Sequence, residues 1–261
     1  MKGFAKCLIA AAVLVGAGIA LLLIGLGISD WKLDPEITEN TYVQTSDNIE
    51  NISLDIAAGE FETVFYDGDK IEIKYYTSSS KKVEIKESGT ALSYRESNRW
   101  WINFIGFKYP KAVIKLPQSK VYNLDVDMSA GLITIGGGTF GNLDVDMSAG
   151  AVKFNGSVTC AKLDIDISAG SIKAGTVDCS LLKVDVSAGS VEIARMSCPT
   201  IDIDVSAGSV NLGLTGAKAD YTIKVDKSAG SCNLKNQTGT DSSKKIDIDI
   251  SAGSVNVSFT N

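Results

Sequence analysis

The chain has 261 residues, 44% of them apolar, with 25 basic against 31 acidic side chains, a net charge of −6 and no histidine. The acidic balance argues against a nucleic-acid partner, which needs clustered Lys and Arg. Without histidine, Ser-His-Asp and Cys-His catalysis and histidine metal ligation are excluded.

In chain order the first element is an unbroken apolar run, Cys7 to Ile28. At about 1.5 Å per residue a helix of this length crosses a hydrocarbon core of about 30 Å, so residues 7–28 predict one transmembrane helix behind a cytoplasmic stub, residues 1–6. Lys2 and Lys6 precede the run while Asp30, Asp34 and Glu36 follow it. By the positive-inside rule the N-terminus stays in the cytoplasm and everything after Trp31 lies outside a single-pass cell membrane protein. A cleaved signal peptide is the competing reading. Its apolar core would span about 7–15 residues, and Ala-Gly-Ile-Ala at 17–20 lies inside the run rather than after it.

Residues 29–48 are polar around Pro35 and lack either hydrophobic period, as a linker does. Residues 49–120 predict a β-rich entry or cap segment. Leu54 to Gly59 is a degenerate copy of the repeat described next, and Ile71–Tyr75, Lys82–Lys86 and Leu92–Arg95 alternate around turn residues as hairpin strands would.

From residue 121 to 261 one unit recurs. Ser-Ala-Gly begins at Ser129, Ser148, Ser168, Ser187, Ser206, Ser228 and Ser251, with periods of 19 or 20 residues and then 22 and 23. Five residues before each Ser stands Leu124, Leu143, Leu163, Leu182, Ile201, Ile223 or Ile246. Val or Ile follows two residues on, with mostly aspartates between. Such a strand has one dry and one wet face. A second short strand follows each Gly. About 20 residues with two strands and two corners cannot bury their own apolar side, so copies must stack at about 4.8 Å as parallel rungs. The fold class expected is therefore all-β, a single-stranded parallel β-solenoid behind one N-terminal transmembrane helix. Gly supplies the positive φ of a sharp corner, Ala fits a crowded one, and the Ser hydroxyl can bond turn amides. A nucleophile is not needed seven times, so the serines read as structural.

Stacking would align Asp127, Asp146, Asp166, Asp185, Asp204, Asp226 and Asp249 in one outward column, beside Asp125, Asp144, Asp164, Asp202 and Asp247. The column reads as a solvated polar face; cation binding is the sharper alternative, although no Gly-Gly-x-Gly-x-Asp calcium repeat occurs. Cys160, Cys179 and Cys198 are spaced 19 apart and should stack inward as free thiols over Phe140. No metal or other cofactor is expected, and carboxylates in identical rows do not offer the two different environments a glycosidase needs.

Arg99 to Pro110 fits neither hairpin nor rung, and its Trp100, Trp101, Phe104, Phe107 and Tyr109 are candidate contact residues. They predict a cap over the first rung, with membrane or partner contact as the alternative. Lys227 joins the candidates because it stands in a column otherwise filled by Met, Ile and Val, a place where a local bulge would let the amine reach solvent. Longer connections, Gly213 to Asp220 and Lys235 to Lys245, flank that copy. The last copy, ending in Val255 to Phe259, predicts a bare final rung able to pair with a second chain, a route to self-association.

The Lys-flanked apolar helix, the Trp-rich insert leading to Val113-Ile114-Lys115-Leu116-Pro117, and the repeated Leu-Asp-Val-Asp-x-Ser-Ala-Gly closely resemble the bacterial putative-adhesin family of β-strand-repeat proteins, over essentially the whole chain. The resemblance implies a β-solenoid displayed on the cell surface, non-catalytic, acting as an adhesin or envelope interaction module with a surface protein or glycan as partner. Relatives also imply an alternative, an accessory or sensor component of an envelope stress response. A polysaccharide-acting β-helix enzyme is the third reading.

Overall fold

Alternation of buried and exposed side chains organises nearly every strand of this protein. The computed structural model describes residues 36–98 and 110–260. The chain divides into two units, Met1–Ile37 and Thr38–Asn261, and every strand among the described residues belongs to the second. The run Cys7 to Ile28 and the aromatic residues Trp100, Trp101, Phe104, Phe107 and Tyr109 lie outside the described residues. Among those described, no helix is long and apolar enough to cross a membrane.

The second unit is all-β. Its first strands are β1 (Thr38–Val43), β2 (Asn51–Ile56), β3 (Gly59–Tyr66), β4 (Glu72–Thr77), β5 (Lys81–Ser88), β6 (Ala91–Asn98) and β7 (Ala112–Pro117). The repeats supply β8 (Tyr122–Met128), β9 (Gly131–Met147), β10 (Ala151–Ile167), β11 (Ser171–Val186), β12 (Ser190–Ser197), β13 (Thr200–Val205) and β14 (Ser209–Thr215). After a 3-10 turn at Lys218–Asp220 come β15 (Thr222–Lys227), β16 (Ser231–Cys232), β17 (Lys245–Ile250) and β18 (Ser254–Thr260).

These strands form two ladders. The first runs β5-β6-β2-β8, then the C-terminal halves of β9, β10 and β11, then β13-β17-β15. The second runs β1-β4-β7-β3, then the N-terminal halves of β9, β10 and β11, then β12-β14-β18-β16. Inward from β6 and β7 every strand-to-strand pairing is parallel, so neighbouring copies run in the same direction. The aliphatic columns coincide: Leu124, Leu143, Leu163, Leu182, Ile201, Ile246 and Ile223 are each at most 2% exposed and share one core. At roughly 25 cal/mol per Å² of apolar surface, a continuous column of this kind is the main stabilising term of a stack that has little other tertiary structure.

The corners differ from expectation in two ways. First, β9, β10 and β11 run on through the second corner as single strands, bent where the register shifts beside Gly137 and Gly156. An extra residue on one strand turns the chain without breaking the ladder. Second, the Ser-Ala-Gly corner amides bond the neighbouring rung rather than the serine hydroxyls: Ser148 N–H donates to Met128 C=O at 2.9 Å and Ala149 N–H to Ser129 C=O at 3.0 Å. Positive φ also explains only part of the glycine column. Gly150 has φ 119°, but Gly208 has no positive φ. What both need is space. A Cβ on Gly208 would stand 2.5 Å from the carbonyl oxygen of Gly189, because the corners of adjacent rungs touch backbone to backbone.

At both ends the rungs are stacked out of chain order. β2 and β3 lie between β8–β9 and the later β6–β7, outside which β4 and β5 pair antiparallel and β1 closes the second ladder on β4. β4 thus pairs with β1 and β7 and forms no hairpin with β5. Aromatic rings close this end of the core: Phe61 and Tyr94 meet edge-on at 5.3 Å, with Tyr75 against Tyr94 at 6.3 Å.

At the other end the last copy is not the last rung. β17 and β18 lie between β13–β14 and β15–β16, so the expected bare end at Val255 to Phe259 is corrected: the outermost rung is Thr222 to Cys232. The expected bulge at Lys227 is corrected too. β15 pairs with β17 without a register shift, Lys227 opposite Ile250. The amine is exposed because its rung has no neighbour beyond it, and a Lys at an open edge opposes further pairing. The edge is also covered from within the chain. Ile223 exchanges both backbone hydrogen bonds with Gln237, at 2.9 and 3.0 Å, and Val225 N–H donates to Asn236 Oδ1 at 2.6 Å.

Candidate functional site

The stack puts the repeated carboxylates into register. Asp55, Asp127, Asp146, Asp166, Asp185, Asp204, Asp249 and Asp226 follow one another rung by rung. Asp125, Asp144 and Asp164 run beside them, then Lys183 breaks the second column before Asp202 and Asp247, and Lys224 ends it. Except at Asp226 on the outermost rung, each alternates with a buried Leu, Val, Ile or Met, and it is this period of two that turns them outward.

The electrostatics follow from the spacing. Burial first, then Asp55 and Asp146 on the adjoining rungs, raise the Asp127 carboxyl above its ordinary value. Burial with Asp164 and Asp125 does the same for Asp144, and burial with Asp146 and Asp185 for Asp166. Cations tie down both margins: Arg95 Nε bonds Asp55 at 2.8 Å, Lys162 Nζ reaches Asp164 at 2.5 Å, and Lys224 Nζ reaches Asp247 at 3.3 Å. Among the described residues no group of three or more His, Cys, Asp or Glu is arranged to hold a metal ion. What the columns present is a long, regular, negative face.

Beside the columns a surface groove of about 340 Å³ is lined by Asn51, Ser93, Asn123, Asp125, Asn142 and Asp144. Ile52, Leu92 and Leu124 give it apolar surface, and an asparagine ladder runs along it. Asn123 Nδ2 donates to Asn51 Oδ1 at 2.9 Å, and Asn123 Oδ1 accepts from the Asn142 backbone N–H at 2.8 Å. The sequence carried this signal, since each Asn directly precedes a core Ile or Leu of its copy, but the ladder is visible only once Asn51 is aligned with the repeats.

Two further polar clusters stand at the entry end. Lys81 Nζ and Glu96 Oε1 pair at 2.6 Å with 4% and 1% of their side chains exposed, and Tyr94 donates to the same oxygen at 2.7 Å. The inward parity of Leu92, Tyr94 and Glu96 was the available signal. Glu87 receives the Thr45 and Ser46 amides at 2.7 and 2.8 Å, the Thr45 hydroxyl at 2.9 Å and the Tyr42 hydroxyl. Burial pushes its carboxyl up, but these donors outweigh that and bring it down to about 2. Nothing in the local sequence pairs residues 42–46 with Glu87.

The cysteines stack as their spacing predicts: Cys160 is in register with Cys179, and Cys160, Cys179 and Cys198 are buried free thiols, with Cys232 half-buried. Contact with its two neighbours, and then burial, hold the Cys179 thiol far above its ordinary range. Of the candidate contact residues, Lys227 is exposed on the outermost rung. The insert bearing the aromatic ones joins β6 to β7. On either side of it Arg95 is opposite Asp55 and Ala112 opposite Phe61, and the aromatic residues themselves lie outside the described residues.

Solved structures similar to this chain include a putative cell adhesion protein from Clostridium sporogenes ATCC 15579, 14% identical, covering 86% of this chain and 100% of that one, with a TM-score of 0.34. A putative adhesin from Bacteroides fragilis NCTC 9343 is 15% identical over 85% and 98% of the two chains, with a TM-score of 0.43. A putative lipid binding protein from Parabacteroides distasonis ATCC 8503 is 15% identical over 84% and 96%, with a TM-score of 0.42. No curated protein matches the chain. Residues 49–261 match one family throughout, taking in the entry strands as well as every Ser-Ala-Gly rung, and the chain therefore belongs to the Toastrack DUF4097 family.

Proposed function

We propose that the chain is a non-catalytic surface protein, held in the cell membrane by Cys7 to Ile28, that presents its acidic face for adhesion or envelope-associated interaction. The observation that carries this reading is the aspartate column held in register from Asp55 to Asp226, with a second column, interrupted at Lys183, beside it. A row of like charges costs somewhat under 1 kcal/mol per neighbouring pair in water, so the fold tolerates a standing penalty to keep it. A regular negative face suits a cationic surface or protein, and binding to it weakens as salt screens the charges.

The test has two arms. Protease added to intact cells should remove residues 38–261 while the N-terminal segment stays with the membrane fraction. Beads carrying the chain should bind cell envelopes at low salt, and should lose that binding when Asp127, Asp146, Asp166 and Asp185 are all changed to Asn. A chain protected from protease in intact cells would refute surface display. Undiminished binding by the Asn variant would refute the role of the face.

A further inference from the structure

We propose that residues 245–260 are an exchangeable rung through which two copies of this chain join by reciprocal insertion.

β17 and β18 follow β15 and β16 in the chain yet lie inside them, each strand bonded on both sides. The slot they fill has a specific shape. On either side of Ile246 and Ile248 stand Ile201 and Ile203 and, opposite, Ile223 and Val225. At the corner, a Cβ on Gly253 would stand 2.5 Å from the Gly208 carbonyl, so the slot admits only an arc with a glycine there. The chain's own last copy has the matching period, length and corner, whether it comes from the same molecule or from another.

Two features make exchange possible. Lys245 faces Thr200 on one side and Thr222 on the other, and the register is the same along both strands. When the slot is vacated, β15–β16 can therefore close directly on β13–β14, Ile223 against Ile201, and the core is not left open. The connection from Lys235 to Lys244 is polar and, at about 3.3 Å per residue, spans up to roughly 33 Å. It is held by hydrogen bonds such as Thr240 N–H to Ala219 C=O at 3.0 Å and Asp241 N–H to Asp220 C=O at 3.1 Å, while Leu234, just before it, stays buried in the core. In a swapped pair every rung contact of the closed monomer is remade between chains, so what separates the two states is the hinge and the association cost. Exchange is independent of where the chain is displayed.

The experiment uses the full chain in mild detergent. Asn211 and Asn256 are outward-facing register partners on β14 and β18. The double variant Asn211→Cys, Asn256→Cys is given a brief urea pulse, returned to buffer at a series of concentrations and oxidised. Exchange predicts a covalent dimer on non-reducing gels that needs both substitutions. The dimer-to-monomer ratio should rise about tenfold for each tenfold in free chain. The single variants and the parent, which carry the native cysteines, should not give it. Light scattering on the unsubstituted chain after the same pulse should show a dimer with the same concentration dependence. A disulfide formed only within chains at every concentration, together with a purely monomeric parent, would overturn the proposal.

Discussion

Replacing Gly208 by Ala tests whether rung spacing is set at the corners. The added Cβ would lie 2.5 Å from the Gly189 carbonyl oxygen and would overlap a methyl of Val186. The oxygen belongs to the backbone, so relief requires the two rungs to part or the corner to twist. Overpacking of this kind costs about 1–3 kcal/mol, and the lower chain entropy of unfolded Ala offsets about 0.4–1 of it. A net loss of about 1–2 kcal/mol lowers the melting temperature by roughly 2–8 °C for a domain of this size. Gly175 is the control. It also lies in a repeat, has no positive φ, and an added Cβ would meet nothing within 4 Å. Gly175→Ala should therefore melt at or slightly above the parent. Circular dichroism melts of the three proteins decide the matter. If Gly208→Ala is as stable as the parent, or if both substitutions destabilise equally, corner contact does not set the spacing.

Other consequences are equally direct. Asp127, Asp144 and Asp166 have raised carboxyl values, so ionising them opposes folding; the penalty is present at neutral pH and disappears as pH falls through those values. Glu87 acts the other way, as do Glu39, Glu84 and Asp241, their contribution being present at neutral pH and lost in acid, for Glu87 as pH falls toward about 2, so a melting series should show Glu87→Gln losing stability at neutral pH and little in strong acid. Asp166→Asn should raise neutral-pH stability by up to about 1 kcal/mol at low salt and by less at high salt; a decrease would refute the repulsion argument. Lys81→Met leaves Glu96 buried without its cation and should cost about 3–5 kcal/mol in urea unfolding, whereas Lys81→Met with Glu96→Leu should recover most of it. Maleimide mass labelling of the native chain should modify Cys232 well before Cys160, Cys179 and Cys198, which become reactive only on unfolding; rapid labelling of those three would contradict their burial.

The repeats were legible because their information is local. A period of two fixes which side chain of each strand is dry, and a period of 19 or 20 fixes which copies share a column. From these alone Leu124 to Ile246, the aspartate rows and the inward cysteines fall into place. The glycine of Ser-Ala-Gly was legible as a requirement but not for its full reason, because contact between one corner and the next exists only after stacking.

What tertiary structure alone decided is the order of the rungs and the polar locks at the ends. Near-identical copies have near-identical faces, so nothing in Ile223 or Ile246 says which of them sits against Ile201. The two long connections permit either choice, and Lys227 is seen to suit an outermost rung only once the stacking places it there. Glu87 with Thr45 and Lys81 with Glu96 join residues far apart in sequence and of no repeating type. Local periodicity thus determines the stack itself, while its ends depend on long-range pairings, because repetition erases the differences by which a sequence could specify neighbours.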